Sequence, residues 1–383
     1  MKRVYCWTAA GVVVAVLAAG PAWARPASAG RAGSRSPAAW KVSRIRVADG
    51  AGPGGLNAGG SAQVTSVSCA SAGNCSAGGS YTDGGHHEQA FVVSQKNGTW
   101  GPARRVPGTA ALNTGGSAQV TSVSCASAGN CSAGGTYQQT LPNGIRGFVA
   151  GEVHGRWSAA IEVPGTAASP PFTPVDSMSC GSAGNCSAGG SFVDSSGNTE
   201  AFVVNEVHGS WGKDFQVRGT SSLDTSIYTG VYSVSCTSAG NCSAAGSNSG
   251  GNSSDGYMFV VSEKNGTWGR AKIFSIGFFP GEMFSVSCAS AGNCSAGGNY
   301  GQADGQTQIA VINQKHGTWG KASELAGAPT APNLEAHITI SCASAGNCSA
   351  GGWYDLARPF HHQAFVVSEK NGTWRTARKV PGL

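Results

Sequence analysis

The chain has 383 residues, of which only 11% are charged while 59 are glycine. Its formal charge is +6; losing Lys2 and Arg3 with the leader described below leaves 23 basic against 19 acidic residues, a balance of +4. So weak a surplus, with no cluster of Lys and Arg, argues against a nucleic-acid partner.

Residues 1–24 read as a secretory signal. Lys2 and Arg3 form the charged start, Ala9 to Ala19 the apolar run and Ala22-Trp23-Ala24 a small-x-small cleavage site. The apolar run is shorter than the roughly 20 residues a spanning helix needs, as is every later one. Cys6 precedes the run, whereas a lipid anchor would need its cysteine at the cleavage site. The expectation is a secreted chain without membrane insertion, carrying 12 cysteines into an oxidising space. Residues 25–39, with Arg25, Arg31 and Arg35 among Ala, Gly, Ser and Pro, read as a disordered linker. Residues 40–383 are expected to form one domain.

That domain is a cassette repeated six times: a Cys-x5-Cys pair, a Gly-Gly, a Phe-Val-Val run and a Gly-Thr-Trp. The pairs are Cys69/Cys75, Cys125/Cys131, Cys180/Cys186, Cys236/Cys242, Cys288/Cys294 and Cys342/Cys348, at spacings of 52 to 56 residues. A period of that length built from short β-type runs is the mark of a propeller blade. In the first copy, Val64 to Cys69 alternates apolar and small polar residues and reads as a half-buried strand. Cys75 to Tyr81 returns, Gln89 to Ser94 makes a third strand, and Asn97-Gly98 is a hairpin signal leading into a fourth strand from Thr99 to Val106. The fold class expected is all-β: a six-bladed propeller of four-stranded antiparallel blades.

The residue nine before each hairpin Trp is Phe91, Phe148, Phe202, Phe259, Ala310 or Phe365, so the offset is constant and aromatic in five copies. Burying a Phe and a Trp per blade should dominate contacts between blades, so Trp100, Trp157, Trp211, Trp268, Trp319 and Trp374 are expected in the core. In the Gly-Gly pairs, Ala245-Gly246 shows that only the second position demands glycine. A glycine pair ending a strand has no phosphate-binding context; it lets backbone approach closely. Pairing of cysteines within each repeat is the simplest of many connectivities, since every duplicated blade is then complete. Closing each seven-residue loop restricts the unfolded chain by roughly 2–2.5 kcal/mol. No metal or cofactor is expected: pairs held apart around a ring cannot converge on one zinc ion.

At this point the residues resemble the kelch and galactose-oxidase type of propeller. Cys75-Ser-Ala-Gly-Gly79, Phe91-Val-Val-Ser94, Trp100 and Val106-Pro107 match that family's order, and the match recurs over residues 62–383. The chain departs from it in lacking a third-strand Tyr and in carrying the cysteine pairs. The turn Ser94 to Trp100 also looks like a degraded sialidase Asp-box, without the Asp and one residue short. Neither resemblance carries a catalytic residue to this chain.

There are seven Trp-led fourth strands for six cysteine pairs, the extra one being Trp40 to Val47. A closed ring should therefore borrow 40–47 as a closing or outer strand beside residues 364–382. Residues 56–79 and 112–135 are identical apart from Ala58 and Thr114, whereas the loops joining second and third strands differ in every copy. Those loops and the blade-to-blade connections emerge on one face, opposite the cysteine and Asn-Gly turns. Variable loops on a rigid scaffold are where recognition sits. On that face His86-His87 and His361-His362 occupy the same loop in blades one and six, with Asp83, Glu88 and Asp355 nearby in sequence. These seven are the candidate ligand-binding residues. His154, His208 and His316 replace Asn before the turn glycine and read as turn residues, as do the Asn of the repeated Asn-Cys-Ser and Asn-Gly-Thr sequons. The functional expectation is a monomeric, non-catalytic secreted module binding a glycan or a protein surface. The alternative is an extracellular carbohydrate-active hydrolase or lyase using the same face.

Overall fold

In the computed structural model the residues described are 16–17, 55–140, 144–166, 172–213, 215–220, 228–249, 257–274, 279–302, 306–328, 331–332, 336–356 and 361–382. The predicted leader, apart from the backbone of 16–17, the linker 25–39 and the extra strand 40–47 lie outside them. Six antiparallel sheets follow one another along the chain, each ordered first to fourth strand. Blade one comprises Ala62–Ser71, Asn74–Thr82, Glu88–Lys96 and a fourth strand broken into Thr99–Trp100 and Arg104–Arg105, both paired with the third. The same order repeats from Ala118–Ser127, Val175–Ser182, Tyr228–Ser238, Phe279–Ser290 and Ala336–Ser344, the first strands of blades two to six. The only helix among the described residues is one turn, Thr109–Leu112, between blades one and two.

All six disulfides close within their own blade, as the repeat logic requires: Cys69–Cys75, Cys125–Cys131, Cys180–Cys186, Cys236–Cys242, Cys288–Cys294 and Cys342–Cys348. Each joins residues directly opposite in the ladder, such as Cys69 and Cys75. The hairpin turns have positive φ at both central residues, Asn97 and Gly98 in blade one, which is the geometry that matches strand twist. His154, His208 and His316 adopt the left-handed conformation expected of them. The two turns of each blade are stitched together: Gly98 N–H donates to Gly73 O at 2.8 Å, and Asn74 Oδ1 accepts from Asn97 N–H at 3.2 Å. Asn130, Asn185, Asn241, Asn293 and Asn347 repeat that contact, so the Asn of every Asn-Cys-Ser is a turn brace.

Blades pack face to face, and the glycine pair divides the labour. A Cβ at the second position would lie 2.0 Å from Pro174 O at Gly190 and 2.0 Å from Gly230 O at Gly246, inside the blade itself. At the first position a Cβ would instead strike the next blade, 2.6 Å from Val120 at Gly78 and 2.5 Å from Val231 at Gly189. Blade four tolerates Ala245 there; the residue packed in its cluster is the unbranched Met283 instead of a valine. The five aromatic Phe side chains are all buried.

The tryptophans differ from expectation. Trp268 and Trp319 are buried, but the other four are half-buried at the blade joints. An indole carries a donor that needs a partner, and here it reaches the preceding blade. Trp157 Nε1 donates to Ser94 Oγ at 3.2 Å, Trp268 to Asn205 Oδ1 at 3.0 Å, Trp319 to Ser262 Oγ at 2.9 Å and Trp374 to Asn313 Oδ1 at 3.0 Å. Trp211 finds no partner, because the equivalent position of blade two is Gly151. Beside four of the indoles stands a buried glutamate, Glu152, Glu206, Glu263 or Glu369, and it makes a second tie: Glu152 accepts from Ser76 Oγ and Ser94 Oγ at 3.0 and 2.6 Å.

Nearer the axis, first-strand serines accept backbone N–H groups of the next blade. Ser66 and Ser68 serve Val123 and Cys125, and the pattern continues through Ser285 and Ser287 to Ile340 and Cys342. Five junctions are built this way. The sixth, between blades six and one, carries none of these bonds among the described residues. Val366 is 45% exposed where Val203 is fully buried, and Val64 is 37% exposed where Val120 is fully buried. Among the described residues this junction is therefore a seam, at the place where 40–47 was expected to dock. Backbone of Val16–Leu17 runs parallel to the first strand of blade one, Val16 opposite Ser68.

Candidate binding site

The first strands surround a common channel of about 710 Å³, lined by all six blades. Besides the register shift at its cysteine, each first strand of blades one to five carries a bulge at one shared position. In blade one Val64 opposes Gly79 and Ser66 opposes Gly78, leaving Thr65 without a partner. The equivalent residues are Thr121, Asp176, Tyr232 and Phe284; blade six has no such extra residue, its ladder running directly from Ile338 to Thr339. A bulge re-aims one side chain out of the alternating pattern. All five of these side chains line the channel, in the half of the strand toward the variable face.

What they do differs by blade. Thr65 and Thr121 donate their hydroxyls to Val120 O and Val175 O of the neighbouring blade, so both are structural. An ionised carboxylate lacks that proton, and Asp176 Oδ2 is enclosed without a hydrogen-bond partner. Burial pushes its pKa up to about 7. Next to it stands an aromatic arc: Phe172 meets Tyr228 edge-on at 5.8 Å, and Tyr228 stacks on Tyr232 at 6.4 Å with the rings 10° from parallel. Burial, with the Asp176 charge adding to it, pushes the Tyr228 phenol up to about 12 and raises Tyr232 as well. The next two blades, five and six, carry a second arc. Phe284 packs on His337 at 4.6 Å, His337 stacks on Trp353 at 6.5 Å, and Trp353 meets His362 edge-on at 4.7 Å. Burial holds the His337 imidazole below its usual range.

The seven residues read from sequence fall in two separate places. Asp83 is a turn cap: its Oδ1 accepts Gly85 and His87 N–H at 2.9 and 3.0 Å, and its Oδ2 accepts Gln89 Nε2 at 3.0 Å. Asp194 repeats this in blade three, accepting from Ser196 and Asn198. His86 occupies the left-handed position of that turn, and His87 Nδ1 sits 3.6 Å from Asp83 Oδ1. Glu88 accepts Ser117 Oγ at 3.0 Å, tying the loop to blade two. In blade six, Asp355 stands opposite His362 and Leu356 opposite His361 in the ladder. Among the described residues no contact joins the blade-one group to the blade-six group. Only His362 belongs to an aromatic arc.

The paired cysteines singled out by the repeat also divide between site and scaffold. Every first-strand partner, from Cys69 to Cys342, lies on the channel wall. Cys131, Cys186 and Cys348 do not. These second-strand partners are buried in the blade joints, their Sγ atoms 3.4, 3.3 and 3.3 Å from Ser76, Ser132 and Ser295 Oγ of the preceding blade. Their pairing is as expected, but they belong to the interior of the joints and not to the binding site. The reason is the ladder: the first strand faces the axis, and its partner across the disulfide stands one strand further out.

Sequence reasoning missed Asp176, Tyr232, Phe284 and His337. A signal for three of them was present: within the nearly constant Val-x-Ser-Val-Ser-Cys of the first strands, x is Thr, Thr, Asp, Tyr and Phe. The variable position of an otherwise fixed strand marks the channel.

No family model and no curated protein matches the chain. Among solved structures it is similar to a Hadza microbial sialidase, Hz136, at 12% identity and TM-score 0.44, covering 78% of this chain and 65% of that one. It is similar to a PL25 ulvan lyase at 11% identity and TM-score 0.46, covering 81% of each, and to the fucose-specific lectin of Aleuria aurantia at 13% identity and TM-score 0.36, covering 67% and 78%. The chain thus spans about two-thirds of the sialidase's length.

Proposed function

We infer that this protein is a secreted, non-catalytic glycan-binding propeller whose ligand enters the channel from the variable face. Six disulfides fit an oxidising, extracellular setting. The observation that carries the reading is the pair of aromatic arcs on successive blades, Phe172–Tyr228–Tyr232 and Phe284–His337–Trp353, which reach the channel wall through Tyr232, Phe284 and His337. Half-buried rings with one face still available are the surfaces on which sugar rings stack, and the serine-rich wall between them supplies hydroxyls. The kelch-type resemblance of the repeat agrees with such a scaffold but contributes no binding residue. The test is a glycan array with the full chain and its Tyr232→Ala and Trp353→Ala variants. Binding that both substitutions weaken about tenfold or more supports the reading. Binding that survives them, or is lost only when His86, His87, His361 and His362 are replaced together, moves the site to the outer loops.

One observation favours the second reading, a carbohydrate-active hydrolase or lyase: a carboxyl with pKa near 7 beside phenols is poised for proton transfer at neutral pH. Release of reducing ends or unsaturated uronates by the wild-type chain, abolished by Asp176→Asn, would establish it in place of the binding module.

A further inference from the structure

Among the described residues lining the channel, Asp176 is the one carboxylate and there is no Lys or Arg. Its Oδ2 is enclosed without a hydrogen-bond donor. A buried charge without a partner is costly, so such a group is either kept neutral or waiting for a cation. On the adjacent blade Tyr232, which lines the channel, stacks on Tyr228, with Phe172 edge-on to Tyr228, and such π faces attract a desolvated ammonium. An anionic acceptor next to aromatic faces is the pair of features that selects an organic cation over a neutral group of the same shape.

The wall specifies what carries that cation. Ser66, Ser122, Ser177, Ser233 and Ser285 each accept a backbone N–H through Oγ, so each keeps its own hydroxyl proton for donation. Donors of this kind suit the ring and hydroxyl oxygens of a sugar. The chain as a whole carries formal charge +6, so selection must come from the channel itself and not from long-range attraction.

Resting on the glycan reading above, we propose that the channel recognises an amino sugar, its ammonium held between Asp176 and the faces of Tyr228 and Tyr232. The test is calorimetric titration of the full chain at pH 7 with a glucosamine hexamer and with its N-acetylated counterpart. The wild type should bind the deacetylated oligomer about tenfold or more tightly than the acetylated one. Asp176→Asn, checked for folding by thermal melt, should bring the two affinities within about twofold of each other. Tetramethylammonium, which needs no variant, should displace the glucosamine hexamer and leave the N-acetylated one bound. Equal affinities in the wild type, a preference unchanged by Asp176→Asn, or no displacement by tetramethylammonium overturns the proposal. If neither hexamer binds while neutral glycans are retained on an array, the amino-sugar assignment falls and the glycan reading stands. If no glycan of any kind is retained, both fall.

Discussion

Five junctions of this ring and its sixth are made from the same repeat, yet they differ in nearly every contact. Where blade three meets blade four, Val203 and Val231 share one apolar cluster, Ser177 and Ser179 hold backbone of the next blade, and Asn205 receives both the Trp268 indole and ties to Glu263. Where blade six faces blade one, Ser349 is exposed although Ser187 and Ser243 at the equivalent second-strand position are buried. Five of the six hydrophobic clusters combine residues of two blades; the sixth, around Ala77, Tyr81 and Phe91, is confined to blade one. Identical cassettes thus yield cohesion only where a successor is present, and the repeat's stability resides in its joints as much as in its sheets.

The second glycine should show no difference between the two regions. Gly190→Ala places a Cβ 2.0 Å from Pro174 O and Gly352→Ala places one 1.9 Å from His337 O, both clashes inside a blade. Each should cost about 4 kcal/mol, or prevent folding, in urea denaturation. The first glycine should separate the regions sharply. Gly189→Ala, facing Val231 at 2.5 Å, should cost about 1–3 kcal/mol, whereas Gly351→Ala, with nothing closer than 3.4 Å, should stay within about 0.5 kcal/mol. Equal costs at the two positions would mean that the seam is packed in solution. Val203→Ala and Val366→Ala extend the same contrast, about 2 kcal/mol against nearly nothing.

A pH-dependent difference should follow from Asp176, whose neighbours on the adjacent blade are the Tyr228 and Tyr232 phenols, with Glu282 acting on Tyr232. Its pKa rises from 3.8 to about 7 on folding, so the native state holds the proton more tightly than the unfolded chain. The sign is then a penalty: it is absent below pH 4, grows as pH rises through the unfolded value and is complete above about 7. Asp176→Asn should therefore melt higher than wild type at pH 8 and at nearly the same temperature at pH 4; the opposite order would show that the carboxylate is partnered. The smallest effect is a gain. Gly151→Ser has room for its Cβ, 3.5 Å from the nearest atom, and restores the hydroxyl that Trp211 Nε1 lacks. A stabilisation of about 1 kcal/mol is expected.

Much of the scaffold could be read from residues alone. The six cysteine pairs, the Asn-Gly and His-Gly hairpins and the second glycine are governed by contacts inside one blade, and local spacing reports local contact. Which sulfur of a pair faces the channel and which, as at Cys131, Cys186 and Cys348, is sealed in a joint depends on the neighbouring blade and could not be read that way. The tryptophans were misplaced because an indole's depth depends on what the preceding blade offers, Ser94 in one case and Gly151 in another. The loop histidines drew notice as chemical residue types, yet Asp83 is consumed by its own turn and Glu88 by Ser117. The channel residues escaped because a bulge breaks the alternation by which a strand's inward positions are normally recognised.

By itself the amino-acid sequence determined the number of blades, their strand order and their disulfides, since each rests on a repeated unit of some fifty residues that satisfies its own backbone. Only the tertiary structure decided which side chains share the channel and which junction lacks these contacts among the described residues. Asp176, Tyr232, Phe284 and His337 come from four different blades, brought to one axis by face-to-face packing that no single repeat encodes.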